Sequence, residues 1–504
     1  MKPHEKTRFD ALLAWSQQHG GELHPALEIY CDDVTKFSLR VKPSAADGLQ
    51  PGFRAVSCPV STTLSYLNAL VDGPLDIASP GSPSPSPQAH NAAFPPRFLQ
   101  SNPPHVVGRF FLVKEYLRGK ASFWWPYIAT LPQPEHVDGW ALPAFWPDHD
   151  IACLAGTNAH VAVGEMQANV RREFKHARNL LKADNVPGWQ DYTQLLYKWS
   201  FSIFTSRSFR PSLVLSAASQ HHAATLLPPT SPPMHLDDFS ILQPLLDIAN
   251  HSPTSRYAWS TTHPPTACTL VPHDPYPAGA QVYNHYGAKT NSELLLAYGF
   301  LLVPSAAFHN DYVHVRKRNR PQPNTTNPDS SSSSSTPKED DDNEKNPKDF
   351  LLSLRPLTHA SSLVGRARLA LNPAAATRLA RLPCFVCVEP ALVEDLAGAV
   401  VASREEAEGV ERWNASSSSG EEGEGLLPEA VARVVERVRA VLGGKVEGDL
   451  ERLRAAAEGL DLDGEEGAGR NRKLARRYRE GCERVLEAAL EGLMVDVGGQ
   501  GEEE

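Results

Sequence analysis

Apolar positions along this 504-residue chain change period several times. Phe9, Leu12, Leu13 and Trp15 recur at helical spacing, and beyond Gly20-Gly21 the stretch from Leu27 to Cys31 is apolar and extended. From Phe37 to Leu64 short strand-like runs are broken by Gly48, Pro51, Gly52 and Pro59, the punctuation of a small sheet. Between Val106 and Leu227 the spacing turns helical and carries a dense aromatic set, Phe123, Trp124, Trp125, Tyr127, Phe145 and Trp146, which core packing explains. Residues 240–251 and 281–303 read as strand-like or buried, with Gly287 and Gly299 permitting tight backbone passages. In the tail, Val431, Val434, Val435, Val438 and Leu442 repeat every three or four residues with Arg433, Glu436 and Arg437 opposite. Leu474, Tyr478, Cys482, Val485, Leu486 and Ala489 do the same in a last long helix.

Breaks in this pattern divide the chain. Residues 73–97 are rich in Pro, Ser and Ala, and the segment from Lys317 to Lys348 holds a serine run, Ser330 to Ser335, followed by Asp340-Asp341-Asp342. Neither has the apolar content to offset the entropy of ordering, so both read as disordered. The Gly/Ser/Glu-rich stretch at about 404–425 reads as a solvated acidic loop. The pattern therefore predicts an α+β chain. Its β-rich first domain spans 1–310, with a flexible loop at 73–97 and a helical insert at about 106–230. A linker at 311–348 leads to an all-α domain over 349–504.

Composition narrows the function classes. A hydrophobic fraction of 41% and a charged fraction of 21% are those of a globular protein with added loops. No run approaches the roughly 18 consecutive apolar residues of a membrane span, and the first ten residues are polar, so a soluble cytoplasmic or nuclear protein without membrane contact is expected. Seven irregularly spaced cysteines argue against a disulfide framework. Cys384-Phe385-Val386-Cys387 resembles half a zinc site, but no second pair completes the four ligands, so no metal is expected. A net charge of -10 argues against general nucleic-acid binding and suits a basic partner such as a lysine-rich tail.

The candidate chemistry lies in three ordered segments: Pro244-Leu245-Leu246-Asp247-Ile248-Ala249-Asn250-His251, then Tyr286-Gly287, then Asn291 to Phe300. An apolar run ending in Asp, Asn and His brings hydrogen-bonding groups from a buried strand to a pocket, where they need partners. These segments resemble the SET-domain protein methyltransferases, in the branch typified by the Rubisco large-subunit lysine methyltransferase and its fungal ribosomal-protein relatives. That branch shows Asp-x-x-Asn-His, Tyr-Gly and Asn-x-Glu-Leu-Leu-x-x-Tyr-Gly-Phe in this order. The resemblance extends to Ser122-Phe123-Trp124, Pro126-Tyr127, Leu154-Ala155-Gly156-Thr157 and Ser206-Arg207-Ser208-Phe209, and covers roughly residues 9–303.

The resemblance implies a SET fold followed by a substrate-binding domain, and S-adenosylmethionine as cofactor. It places Asn250, His251, Asp247 and Arg207 at the cofactor, with Asn250 and His251 in a segment threaded beneath a neighbouring loop. Tyr286 would stand at the methyl-transfer channel, and Tyr298 and Phe300 would line the lysine channel. The branch opens its cofactor site with a Gly-x-Gly turn. The matching stretch here is Lys36-Phe37-Ser38-Leu39-Arg40, so Phe37 and Ser38 are the expected contacts from a bulkier turn. Methyl transfer to an amine is an in-line displacement that requires alignment in a dry channel and a deprotonated acceptor, for which aromatic walls are suited. The implied activity is lysine methylation of a non-histone protein such as a ribosomal protein, by a monomer. The alternatives are histidine methylation and a degenerate fold that only binds.

Overall fold

The computed structural model describes residues 1–78, 92–230, 232–262, 265–317, 349–416, 427–458, 460 and 469–495. The first helix, Pro3–Gln18, starts on a proline, whose missing N–H costs nothing at a helix start, and buries Phe9, Leu12 and Trp15 along one face. Among the described residues, ten short strands follow in three antiparallel sheets. Strands β1 (Glu22–Leu23), β4 (Val56–Pro59), β9 (Ala267–Pro272) and β8 (Tyr257–Ser260) form one sheet in that spatial order. Strands β10 (Gln281–Val282), β3 (Lys36–Val41) and β2 (Leu27–Asp32) form the second. Strand β7 (Ile241–Leu242) lies between β5 (Leu64–Ser65) and β6 (Ser208–Phe209) in the third.

Two of these pairings position the candidate chemistry. Register Ser208↔Leu242 sets the residue after Arg207 beside the strand that leads to Asp247. Register Val282↔Leu39 lays Gln281 and its successors along the Lys36–Val41 strand. Between the strands run the helices Pro104–Arg118, Asn158–Ala183 and Gln194–Arg207. Of the aromatic set, Trp124, Tyr127 and Trp146 are buried, while Phe123, Trp125 and Phe145 pack against the core half-buried.

The chain divides into two compact units built from interleaved stretches. The first comprises Met1–Pro147, Ala162–Gly287 and Leu295–Gly299, and the second Asp148–Val161, Ala288–Leu294 and Phe300–Glu504. Within the second, β11 (Tyr312–Arg316) pairs with β12 (Asp349–Ser353), and Tyr312, Leu351, Leu357 and Val364 form a small core. The helix Glu429–Ala455 buries the expected stripe Val431 to Leu442 and continues it to Leu453, and Arg470–Leu493 buries Tyr478, Cys482, Val485, Leu486 and Ala489 of the other, with Leu474 half-buried.

Several expectations need correction. The 281–303 stretch is not strand throughout, because Asn291–Tyr298 is a helix. Thr290 and Glu293 form its capping box: Thr290 N donates to Glu293 Oε2 at 2.7 Å, and Glu293 N donates to Thr290 Oγ1 at 3.2 Å. The run before His251 is a two-residue strand followed by a 3-10 turn, Leu246–Ile248. The expected flexible loop does not take in all of 73–97, since Leu75, Ile77, Ala93 and Phe94 are buried and a helix starts at Pro96. Lys114 Nζ holds both flanks, donating to Asp72 Oδ1 at 3.0 Å and to Ala93 O at 2.8 Å. The remainder of that loop, 79–91, lies outside the described residues.

The linker does not begin at 311, because Tyr312–Arg316 is a strand, and 318–348 lies outside the described residues. The region from 349 is not all-α, as it opens with β12. The acidic stretch contains the helix Arg404–Ala415, capped by Ser403, and its remainder, 417–425, lies outside the described residues.

Candidate active site

The site in the first unit is built where β6 and β10 deliver their neighbours. Asp247 is buried, and its Oδ2 accepts hydrogen bonds from Tyr127 Oη at 2.8 Å and from Arg207 Nη1 at 3.2 Å. Its Oδ1 has no hydrogen-bond partner among the described residues. Burial pushes the Asp247 carboxyl above the ordinary carboxylate range, opposed by the Arg207 charge and the Tyr127 hydroxyl. Burial also works against the Arg207 cation, but Asp247 more than compensates and holds its pKa up. The Arg207 side chain remains 27% exposed, so it can meet a ligand.

The residues after Asp247 pair with those after β10. Asn284 N donates to Asn250 O at 2.8 Å, Ser252 N donates to Asn284 O at 3.0 Å, and His251 and Asn284 form a parallel bridge. Asn250 Nδ2 donates to Gln281 Oε1 at 3.1 Å, and Ser38 Oγ donates to the same oxygen at 3.0 Å. Gln281 Nε2 in turn donates to Thr35 Oγ1 at 3.3 Å and to the Tyr30 hydroxyl. Gln281 thus ties the expected cofactor contacts Ser38 and Asn250 into one network.

The glycine-free turn is accommodated by its neighbours. Lys36 takes φ 61, a left-handed conformation that glycine adopts without penalty. Asp32 builds the turn ahead of it, accepting from Val34 N at 2.8 Å and from Thr35 N at 2.5 Å. Ser38 is buried, and the ring of Phe37 lies 4.7 Å from that of Phe9.

Tyr286 is fixed at three points. Its backbone N donates to His251 Nδ1 at 3.1 Å, and its hydroxyl donates to Ala249 O at 3.1 Å. Its ring stacks between His251, with centroids 5.2 Å apart, and Tyr298, at 4.7 Å. Burial pushes the phenol well above its usual pKa, so it stays protonated. Burial, aided by neighbouring His285, lowers His251 to about 3, so its imidazole is neutral. Tyr286, His251, Asn250, Asp247, Arg207, Phe37, Ser38 and Tyr298 all fall in the first unit, while Phe300 falls in the second.

The structure adds Tyr127, Gln281 and His285 to this set. Tyr127 was visible in the sequence as one of an aromatic cluster, but nothing there marks its hydroxyl as a partner for Asp247. Asn291 and Glu293 of the third motif serve the fold. Asn291 Nδ2 donates to Asp311 Oδ1 at 2.6 Å and to Leu302 O at 2.8 Å, and Glu293 caps its own helix.

No family model matches the chain. It is 27% identical over 297 residues to the ribosomal lysine N-methyltransferase set10 of Schizosaccharomyces pombe, over 58% of this chain and 46% of that protein. It is 25% identical over 223 residues to the actin-histidine N-methyltransferase of Mus musculus, over 42% of this chain and 33% of that protein. The chain thus spans less than half the length of either. Rubisco LSMT bound to AdoMet, and the SET domain of LSMT bound to MeLysine and AdoHcy, each match with a TM-score of 0.55 at 15% identity, over 98% of this chain and 92% of theirs. The chain thus shares the fold of Rubisco LSMT and is similar in sequence to lysine and histidine N-methyltransferases, in agreement with the three ordered motifs.

Proposed function

We propose that this chain is an S-adenosylmethionine-dependent protein-lysine N-methyltransferase acting on a non-histone protein such as a ribosomal protein. The observation that carries the reading is the setting of Tyr286, whose ring is clamped by His251 and Tyr298 and whose hydroxyl proton is committed to Ala249 O. The phenol oxygen is therefore an acceptor. An acceptor there takes an N–H from an incoming amine and turns the amine's lone pair along the transfer line, which is positioning rather than proton abstraction. The Tyr298 ring supplies an apolar wall that favours the neutral amine.

The donor set fits the cofactor. A partly exposed cation, Arg207, beside a carboxylate, Asp247, whose Oδ1 is unpartnered among the described residues, complements a ligand end that carries both a carboxylate and an ammonium. Phe37, Ser38, Asn250 and His251 are assigned to the remainder of that ligand. S-adenosylmethionine, when bound, supplies a methyl group on a positively charged sulfur. The region from residue 349 is assigned to capture of the target protein, because among its described residues the long helices bury apolar stripes and carry no constellation of the kind found around Tyr286.

The ribosomal target class follows the likeness to set10. A second reading, histidine as acceptor, is favoured by the likeness to the actin-histidine enzyme, since a neutral imidazole needs the same alignment. The test incubates the chain with tritiated S-adenosylmethionine and a lysate rich in ribosomal and cytosolic proteins, then hydrolyses the labelled band. Labelled methyllysine is expected, and labelled methylhistidine selects the second reading. Cofactor binding by calorimetry with no labelled band from any fraction means a binding module. With an acceptor in hand, Tyr286→Phe should leave cofactor affinity within about threefold and slow single-turnover transfer about tenfold or more, one hydrogen bond's worth of transition-state stabilisation.

A further inference from the structure

We infer that His285 is a positioning residue: by accepting the backbone N–H of Gly287 at its Nδ1, it locks the turn that carries Tyr286 and so sets where the Tyr286 hydroxyl stands. The inference rests on the reading of Tyr286 given above. Two successive amides of this turn are bound by imidazole nitrogens instead of backbone carbonyls. Tyr286 N donates to His251 Nδ1 at 3.1 Å, and Gly287 N donates to His285 Nδ1 at 3.0 Å. A backbone amide only donates, so each Nδ1 is the acceptor and each ring carries its proton on Nε2.

Neighbouring groups hold the His285 ring in this role. It stacks on Tyr257, with centroids 6.0 Å apart and planes at 22°, and meets His251 edge-on at 5.0 Å. Its backbone is fixed as well: His285 N donates to Asn284 Oδ1 at 2.8 Å, Tyr257 Oη donates to His285 O at 3.3 Å, and Trp259 Nε1 donates to Asn284 Oδ1 at 3.2 Å. Burial lowers the pKa of His285, which keeps Nδ1 free to accept. Gly287 has φ 95, a conformation that residues with a Cβ avoid, so the turn depends on these bonds to stay where it is. Tyr286 Cα is two covalent bonds from the Gly287 nitrogen that His285 holds, and a displacement of about 1 Å at an aligning group is enough to cost roughly 100-fold in rate. His285 lies one position before the Tyr-Gly motif, where the sequence carries no pattern that marks it.

The test compares His285→Asn, His285→Gln and His285→Leu in the full chain. Asparagine places an acceptor near the position of Nδ1, as in an Asx-turn, glutamine places one nearer Nε2, and leucine offers none. The first readout needs no substrate: amide hydrogen exchange at Gly287 by NMR. Protection should persist in the wild type and His285→Asn and fall about tenfold or more in His285→Gln and His285→Leu. Wild-type protection in the Leu and Gln variants overturns the inference. If His285→Leu does not fold, His285→Gln carries the comparison.

The second readout is steady-state transfer from tritiated S-adenosylmethionine to an acid-extracted ribosomal protein fraction, with Tyr286→Phe alongside. Turnover of His285→Gln and His285→Leu should drop about 10–100-fold, with KM and cofactor affinity within about threefold, and His285→Asn should recover most of it. Equal loss in all three variants, or loss in KM alone, refutes positioning. If Tyr286→Phe matches the wild type, the reading of Tyr286 fails, whereas the exchange result still decides whether His285 holds the turn.

Discussion

Replacing His251 by asparagine should make the protein less sensitive to acid. His251 is 7% exposed, and its pKa is lowered from 6.5 to about 3 by burial and by His285. Above pH 6.5 the imidazole is neutral in both native and unfolded chains and contributes no pH dependence. As pH falls below 6.5, the unfolded chain takes up a proton that the native site refuses, so native stability falls by roughly 1.4 kcal/mol per pH unit until the folded pKa is reached. Between pH 7.5 and pH 5.0 this amounts to about 2 kcal/mol from this one residue. His251→Asn removes the titration, and its Oδ1 can still accept from Tyr286 N. Urea unfolding followed by tryptophan fluorescence at the two pH values should show a loss smaller by about that amount in the variant. The direct check is the His251 Cε1–H resonance, identified by its absence in the variant. A midpoint above pH 5.5 would refute the reasoning, because it would mean the ring is solvated or partnered as a cation.

Two further substitutions test the packing around the site. Tyr127→Phe removes a hydrogen bond to a buried carboxylate whose other oxygen has no partner among the described residues, and should cost about 1.5–3 kcal/mol, read as a drop of roughly 2–5 °C in calorimetry. Because Asp247 already titrates above the ordinary carboxylate range, the native state takes up its proton first as pH falls, so that deficit should shrink on acidification through the same range. Gly299→Ala forces a side chain onto φ 71 with its Cβ 2.2 Å from Ala141 O. The backbone must move, at roughly 2–4 kcal/mol, and the neighbouring Tyr298 with it. A variant that melts with the wild type would show that Ala141 yields freely.

The long helices and the core were legible because their apolar stripes repeat over many turns, as Val431 to Leu453 do. Misreadings fall where a local signal competed with composition. The helix at Asn291 lies in a short apolar run that reads as strand-like or buried, although Thr290 and Glu293 spell a capping box. The helix Arg404–Ala415 lies in an acidic stretch whose composition reads as loop. Ser403 and Glu406 cap it, and Arg433 and Arg437 neutralise Glu406 from the facing helix. The three site motifs were legible as residue types in order. Their partners were not, because Tyr127 is 120 positions from Asp247 and Arg207 is 40, and no single-sequence period reports such a pairing.

Two-residue strands explain how so small a β-structure can hold such a site. β6, β7 and β10 are too short to specify a register by a ladder of alternating side chains, so side-chain acceptors complete the work: Gln281 between Ser38 and Asn250, His251 and His285 on the Tyr286–Gly287 amides, and Asp247 between Arg207 and Tyr127. Leu245, two residues before Asp247, is buried with φ 70 and ψ −44, a conformation that a bulky residue keeps only when its surroundings impose it, at about 1–3 kcal/mol. Strain of that size persists because several bonds oppose it at once. Residues bound into one network should then fail together rather than additively, so removing a second member after the first should cost less than it does alone. That interdependence is why polar residues outside every motif, such as Gln281 and His285, bear on the site as closely as the residues of the three motifs themselves.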